Sequence, residues 1–77
     1  MNIEILKVLY EYNCLSCREI SHKISITYRV MVSKIKELEQ GGFISFKEVY
    51  LYSNGFRKTK VFFLTKKGEK IITEILG

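Results

Sequence analysis

Residues 16–38 read SCREISHKISITYRVMVSKIKEL and contain two short amphipathic helices separated by a break. Ser16 and Glu19 have the spacing of a capping box, in which the hydroxyl accepts from a backbone N–H and the carboxylate reaches back. A helix is therefore expected to begin after Ser16. The segment Ser25-Ile26-Thr27 interrupts the apolar spacing, and threonine is a frequent N-cap, so a further helix is predicted after Thr27.

The helix after Thr27 has one apolar side. Met31, Ile35 and Leu38 recur at helical spacing, which predicts that this side lies against the core. Gly41-Gly42 follows and is expected to end the helix, because glycine adopts the backbone conformations that terminate helices. The opposite side of the same helix carries Arg29 and other polar residues and is expected to face solvent.

Toward the N-terminus, residues 2–12 predict a helix that is apolar on about two-thirds of its circumference. A domain of this size can hardly cover two apolar stripes, so a second copy of the chain is expected to cover one of them. A last helix, capped by Thr65 and running through Ile75, also has an apolar stripe. The expected dimer interface draws on both helices and comprises Ile3, Leu6, Tyr10, Ile72, Ile75 and Leu76.

After the glycines the apolar period changes to two, which predicts a β-hairpin. A three-residue loop at 53–55 would place Leu64 opposite Ile44, whereas a two-residue loop at 54–55 would place Leu64 opposite Ser45. The first register pairs apolar residues with one another across the strands, so it is the one expected.

The order helix, helix, turn, helix, hairpin, helix is the winged helix-turn-helix arrangement, an α+β fold with three helices, a two-stranded hairpin wing and a C-terminal helix. The segments 20–27, 38–44 and 62–68, the last reading FFLTKKG, resemble MarR-type and PadR-type regulators. Compact basic regulators of archaea and their viruses are similar in size. At 77 residues, with no linker to divide it, the chain is expected to form a single domain over residues 1–77. The resemblance implies a recognition helix at 27–40 and a wing at 51–58.

Double-stranded DNA is the partner expected of such a domain, because the major groove admits one α-helix and displays a distinct pattern of donors and acceptors for each base pair. Four residues on the outward side of the recognition helix are expected to contact bases: Tyr28, Arg29, Val32 and Ser33. Phosphate contacts, which position the protein without reading sequence, are expected from Ser16, Arg18, His22, Lys23, Lys34, Lys36, Asn54, Arg57 and Lys58.

Composition agrees with this partner and argues against others. The 77 residues carry a formal net charge of +5, which favours an anionic partner. No apolar run approaches the roughly 18 residues of a membrane span, and the N-terminus lacks the features of a signal peptide, so a cytoplasmic protein that contacts no membrane is expected. No cofactor, no small-molecule ligand and no catalytic arrangement is indicated, so enzymatic activity is not expected.

Cys14 and Cys17 form an isolated C-x-x-C pattern. With His22 they supply at most three ligands, so zinc is not favoured. Three readings remain open: idle thiols, a disulfide within the chain, and a disulfide across a dimer.

One alternative function is open. A winged helix can also serve as a protein interaction module without nucleic acid. Acidic residues would then be expected on the outward side of the recognition helix, whereas that side carries Arg29, Lys34 and Lys36.

Lys66 and Lys67 fall in the first turn of the last helix, where cations are disfavoured. They indicate either a nearby anionic partner or simple tolerance at an exposed site.

Overall fold

The computed structural model describes residues 3–51 and 57–76, which form four helices and one antiparallel hairpin in the predicted α+β order. The elements are α1 (Ile3–Tyr12), α2 (Cys17–Ile24), α3 (Tyr28–Gln40), β1 (Ile44–Leu51), β2 (Arg57–Leu64) and α4 (Lys66–Leu76). No helix within the described ranges is long and apolar enough to cross a membrane.

Local capping interactions set the helix starts, as predicted. The Ser16 hydroxyl accepts from the backbone N–H of Glu19 at 3.3 Å, and a Glu19 carboxylate oxygen accepts from the Ser16 N–H at 3.1 Å. The Thr27 hydroxyl accepts from the Val30 N–H at 3.4 Å and caps α3. Between these helices Ser25 adopts a left-handed conformation with φ of 54°, which turns the chain from α2 into α3.

The hairpin has the predicted register. Ile44 pairs with Leu64 and Phe46 with Phe62, so apolar residues face one another at the base of the sheet. The loop at 53–55, and with it Asn54, lies outside the described residues. On its other side β2 forms an antiparallel bridge from Phe62 to Leu15.

The core is shared among all four helices and the base of the hairpin. The predicted inward side of α3 is confirmed, since Met31, Ile35 and Leu38 are at most 4% exposed. The buried apolar residues are Ile5, Leu6, Leu9, Leu15, Ile20, Met31, Ile35, Leu38, Ile44, Phe62 and Ile72.

Two residues of the expected dimer interface belong to this core. Leu6 and Ile72 are fully buried within the single chain, so their assignment to a surface stripe was wrong. The physical reason is that α1 packs against α2, α4 and β2 together. These neighbours cover parts of both apolar stripes of α1, and they leave Ile3 and Tyr10 exposed at the edge of the covered side.

The end of α3 and the start of α4 meet in a tight junction. Thr65 donates its backbone N–H to the Phe43 carbonyl at 3.1 Å and its hydroxyl to the Gly42 carbonyl at 2.6 Å. The Thr65 hydroxyl also accepts from the Gly68 N–H at 3.2 Å, which caps α4 as predicted. Gly68 is buried and lies directly against the Phe43 carbonyl oxygen.

The same junction accounts for one of the two lysines at the start of α4. The Lys67 ammonium donates to the Gly41 carbonyl at 2.8 Å and lies 4.6 Å from the centre of the Phe43 ring. Gly41 ends α3, where carbonyl groups lack helical partners and the helix dipole is negative, so a cation is stabilised there. Lys67 therefore has a partner within the chain.

Candidate nucleic-acid interface

The outward side of α3 is accessible along its first two turns. Tyr28, at the first helical position, is 57% exposed, and Arg29 and Ser33 are also exposed. Val32 is half-buried, at the edge of this side. Three of the four residues predicted to read bases are thus exposed, and the fourth is half-buried.

Sequence reasoning missed Val30, which is 45% exposed on the same side of α3. Its spacing of three residues from Ser33 places the two side chains next to each other on the helix surface. That spacing was the signal that could have identified it. An exposed valine beside polar residues is suited to contact with a thymine methyl group in the major groove.

A groove of about 470 Å³ separates the start of α2 from β2. It brings together five of the predicted residues, which are Ser16, Arg18, Tyr28, Arg57 and Lys58. Lys60, which the prediction omitted, also lines it. The two-residue alternation that placed Lys58 and Lys60 on one side of the hairpin was the signal for including it.

The groove is strongly basic. Arg18, Arg57, Lys58 and Lys60 contribute four positive charges, and Glu19 is the acidic residue among those that line the groove. The Glu19 carboxylate accepts from the Ser16 N–H in the capping box, so it is held at the helix start. An anion that enters the groove therefore meets an excess of positive charge.

The two β2 lysines of the groove already make contacts within the chain. Lys58 forms an ion pair of 3.4 Å with Glu48, and its ammonium lies 5.9 Å from the centre of the Tyr50 ring. The Lys60 ammonium lies 4.4 Å from the Phe46 ring centre. Both lysines are exposed, and exposed ion pairs contribute at most about 1 kcal/mol. A phosphate can compete with such contacts.

The other predicted phosphate contacts lie outside this groove. Lys23 on α2 places its ammonium 3.9 Å from the Tyr12 ring centre and so links α2 to α1. His22 and Lys36 are exposed, and Lys34 is half-buried. Because these four residues lie outside the groove, the groove gives no support for a phosphate contact by any of them.

Both thiols are free, and the backbone between them is extended. Leu15 is bridged to Phe62, and Ser16 has φ of −77° and ψ of 166°. Three steps of about 3.3 Å separate the Cα atoms of Cys14 and Cys17 by roughly 10 Å, beyond the approximately 7 Å that a disulfide spans. A disulfide within the chain would require the Leu15 bridge or the start of α2 to open.

Cys17 lies at the first position of α2 and is partly buried, whereas Cys14 is exposed. Burial raises the pKa of the Cys17 thiol; the positive charge of Lys60 acts to lower it and the negative charge of Glu39 acts to raise it. The Cys17 thiol therefore stays protonated at neutral pH and is a poor nucleophile. Within the described ranges, no three His, Cys, Asp or Glu residues lie together as metal ligands.

Two short helices joined by a tight turn, a hairpin with a basic edge beside them, and a closing helix define the winged helix-turn-helix fold. A solved structure of Bacillus subtilis PadR in complex with operator DNA has this fold, with a TM-score of 0.81 and 21% sequence identity to the present chain. The similarity covers 96% of this chain and 44% of that PadR chain. No protein-family model and no curated protein matches the sequence.

Proposed function

We propose that this protein is a homodimeric transcription regulator that binds double-stranded DNA sequence-specifically and represses by occluding its site. One observation carries the proposal: α3 buries Met31, Ile35 and Leu38 while Arg29 and Ser33 remain exposed on its opposite side. A recognition helix needs both features, because its buried side fixes its orientation and its free side reads the bases. The fold shared with a PadR that is bound to operator DNA supports the proposal.

In the proposed complex the first turns of α3 enter the major groove. Arg29 donates to the O6 and N7 atoms of guanine, which is a common specific contact. Tyr28, Val32 and Ser33 meet thymine methyl groups or polar base edges. Arg18, Arg57 and Lys58, which line one groove, contact phosphates and set the position of the helix without reading sequence.

Selection of binding sites from random duplexes, carried out at two salt concentrations, tests the proposal directly. We expect an enriched motif at both concentrations and an affinity that falls steeply as salt rises. Recovery of random sequence would contradict sequence-specific binding. An affinity independent of salt would contradict the phosphate contacts.

Replacement of Lys58 by alanine is expected to weaken binding to all duplexes by a similar factor. The reason is that a phosphate contact contributes electrostatic energy that does not depend on sequence. Its loss therefore lowers the slope of the logarithm of the affinity against the logarithm of the salt concentration by about one unit. The measurement is a titration of specific and random duplexes over a range of salt concentrations. Lys70→Ala, on the exposed side of α4, removes the same charge away from the groove and should leave the slope unchanged. A selective loss for the specific duplex would contradict the assignment.

The dimer is proposed to form through the exposed residues at the adjoining edges of α1 and α4. Ile3, Tyr10, Ile75 and Leu76 are between 42% and 49% exposed. Tyr10 and Glu69 line one cavity, so the end of α1 lies near the start of α4. The two helices also pack against each other.

This surface leaves α3 free to contact DNA. The principal neighbours of α3 are α2 and β1, whereas α4 packs against α1 and β2. A two-fold dimer through α1 and α4 can therefore present two copies of α3 outward. A spacing of about 34 Å between them would match successive turns of a palindromic site.

Replacement of Ile75 by lysine is expected to convert the dimer to a monomer. Because the interface is two-fold symmetric, it contains the substituted residue twice. Each buried unpaired charge costs well above 1 kcal/mol, so the dissociation constant should rise at least about 100-fold. Sedimentation velocity at micromolar concentration measures the change. Glu74→Lys also introduces a lysine, at an exposed position on the side of α4 away from the buried Ile72, and serves as the control. A wild-type monomer under these conditions, or an Ile75→Lys dimer, would contradict the proposed interface.

A further inference from the structure

Among the described residues, the outer edge of β2 pairs with the rest of the chain at one residue, Phe62. Phe62 donates its N–H to the Leu15 carbonyl at 2.8 Å and accepts from the Leu15 N–H at 3.1 Å, so both of its main-chain groups point away from β1. The direction of these groups alternates along a strand. Lys60 and Lys58 therefore direct their main-chain N–H and C=O groups to the same side as Phe62, into the groove beside α2.

The chain leaves this edge where α2 begins. Ser16 is the N-cap, and from Cys17 onward the backbone turns into the helix, so among the described residues Leu15 alone pairs with this side of β2. Next to Lys58 and Lys60 lies the groove of about 470 Å³. A strand that entered the groove would lie where residues 17–19 would have lain had the chain continued in extended form.

We propose that this edge of β2 binds an acidic peptide in extended conformation, which pairs with Lys58 and Lys60 as an added antiparallel strand and competes with DNA for the groove. The competition rests on the proposed function, whereas the peptide binding does not. Addition of a strand to a sheet edge is a general mode of peptide recognition, in which main-chain hydrogen bonds supply affinity and alternate side chains supply specificity.

Charge complementarity selects the acidic occupant. Lysine on a strand edge disfavours pairing with another basic strand and so protects this chain from pairing with a copy of itself through that edge. The same lysines, together with Arg18 and Arg57, favour a strand with carboxylates. The groove thus discriminates between possible strands by charge.

The chemistry of the edge favours a peptide over a nucleic acid strand as the partner of the main chain. Lys58 and Lys60 each present one N–H donor and one C=O acceptor, and an extended peptide offers the complement of both. A phosphodiester backbone offers acceptors only, so it leaves the carbonyl groups without donors. DNA can contact the side chains of the groove, but it cannot pair with all the main-chain N–H and C=O groups at the edge of β2.

The geometry also specifies the pattern of the peptide. Residues directly opposite Lys58 and Lys60 place their side chains on the lysine side of the sheet, where acids are favoured. The residue between them lies opposite Thr59 and shares its side with the half-buried Val61, where a β-branched aliphatic residue is favoured. Alternation of acid and aliphatic residue is therefore expected.

The test uses the intact protein and the labelled peptide acetyl-Glu-Val-Glu-Val-Glu-Val-Glu-amide, followed by fluorescence anisotropy at low salt. We expect saturable binding with a Kd below about 100 µM. A peptide of equal composition with its acids clustered, Glu-Glu-Glu-Glu-Val-Val-Val, should bind at least about fivefold more weakly. Equal binding of the two peptides would contradict pairing as an added strand and would indicate that the peptides are attracted by charge alone.

N-methylation separates main-chain pairing from charge. In the antiparallel arrangement the glutamate N–H groups point toward β2 and the valine N–H groups point away. Methylation of the glutamate amides should abolish binding, and methylation of the valine amides should leave it intact. Loss of binding in both peptides, or in neither, would overturn the proposed pairing.

Variants of the protein locate the site. Lys60→Gln should weaken the alternating peptide at least about fivefold, while Lys70→Gln, on α4, should leave it within about twofold of wild type. Circular dichroism confirms that both variants are folded, which is expected because both lysines are exposed. A duplex found by site selection should be displaced by the alternating peptide. Displacement by the clustered peptide to the same extent would contradict the inference, whereas failure of the wild type to bind any duplex would contradict the proposed function alone.

Discussion

Replacement of Gly68 by alanine is expected to lower the free energy of unfolding by about 3 kcal/mol or more. A Cβ atom at this position would overlap the Phe43 carbonyl oxygen and would also lie 3.2 Å from a methyl group of Leu64. The carbonyl is main chain at the start of the hairpin and is held by the Thr65 N–H, so it cannot move aside without separating α4 from the end of α3. Urea unfolding followed by circular dichroism measures the loss.

The direction of this change is opposite to the effect expected from helix propensity. In an exposed helix interior alanine is more stable than glycine by about 1 kcal/mol. A stabilised Gly68→Ala variant would therefore show that the contact with Phe43 is not maintained in solution. A protein of this length has a total stability on the order of 4–12 kcal/mol, so the expected loss is a large fraction of it.

Gly41→Ala provides a matched control. Gly41 has φ of −76° and ψ of −7°, a conformation that alanine adopts without strain. Its Cβ would meet the side chain of Phe43 at 2.8 Å, and that ring is half-buried and can rotate away. The expected cost is below about 1 kcal/mol. A Gly41→Ala variant as unstable as Gly68→Ala would contradict the distinction between a side-chain and a main-chain obstacle.

Replacement of Arg29 by alanine is expected to reduce the discrimination between the specific and random duplexes by roughly 5- to 150-fold, which corresponds to about 1–3 kcal/mol. In the proposed complex a bidentate contact to guanine is lost, so the affinity for the specific site falls more than the affinity for other DNA. Arg29 is exposed, so the midpoint of unfolding should not change. Anisotropy titrations with both duplexes at one salt concentration measure the ratio.

Lys36→Ala is the control on the same helix. It removes one positive charge from an exposed position farther along α3, and the loss of its general electrostatic attraction is expected to weaken both duplexes by similar factors. If Arg29→Ala and Lys36→Ala gave the same ratio of affinities, the assignment of Arg29 to base contact would be wrong. If neither variant changed any affinity, α3 would not be the DNA-contacting element.

Local interactions made most of the fold predictable. The starts of α2 and α3 depend on hydroxyl groups that accept from an N–H three residues later, so Ser16 and Thr27 could be identified without tertiary information. The inward side of α3 follows from helical spacing. The hairpin register follows because a shift by one residue would have turned Leu64 away from Ile44 and toward Ser45.

The candidate interface was only partly predictable. The exposed side of α3 could be deduced as the complement of its buried side, which identified Arg29 and Ser33. Tyr28 has the spacing of the buried side and is exposed at the first position of the helix. The groove could not be deduced, because Lys60 is brought near Arg18 by the bridge between Leu15 and Phe62. Residues far apart in the chain carry no mutual spacing that would reveal such a contact.

The amino-acid sequence by itself determined where the helices and strands begin, which side of α3 faces inward and how the hairpin pairs, because each of these depends on neighbours within a few residues or on a simple period. Tertiary structure alone decided that Leu6 and Ile72 are core residues, that Lys67 binds the end of α3 and that Gly68 must remain without a side chain. Packing among several elements controls these features, and a periodic pattern records that a residue is apolar or small without recording which element covers it.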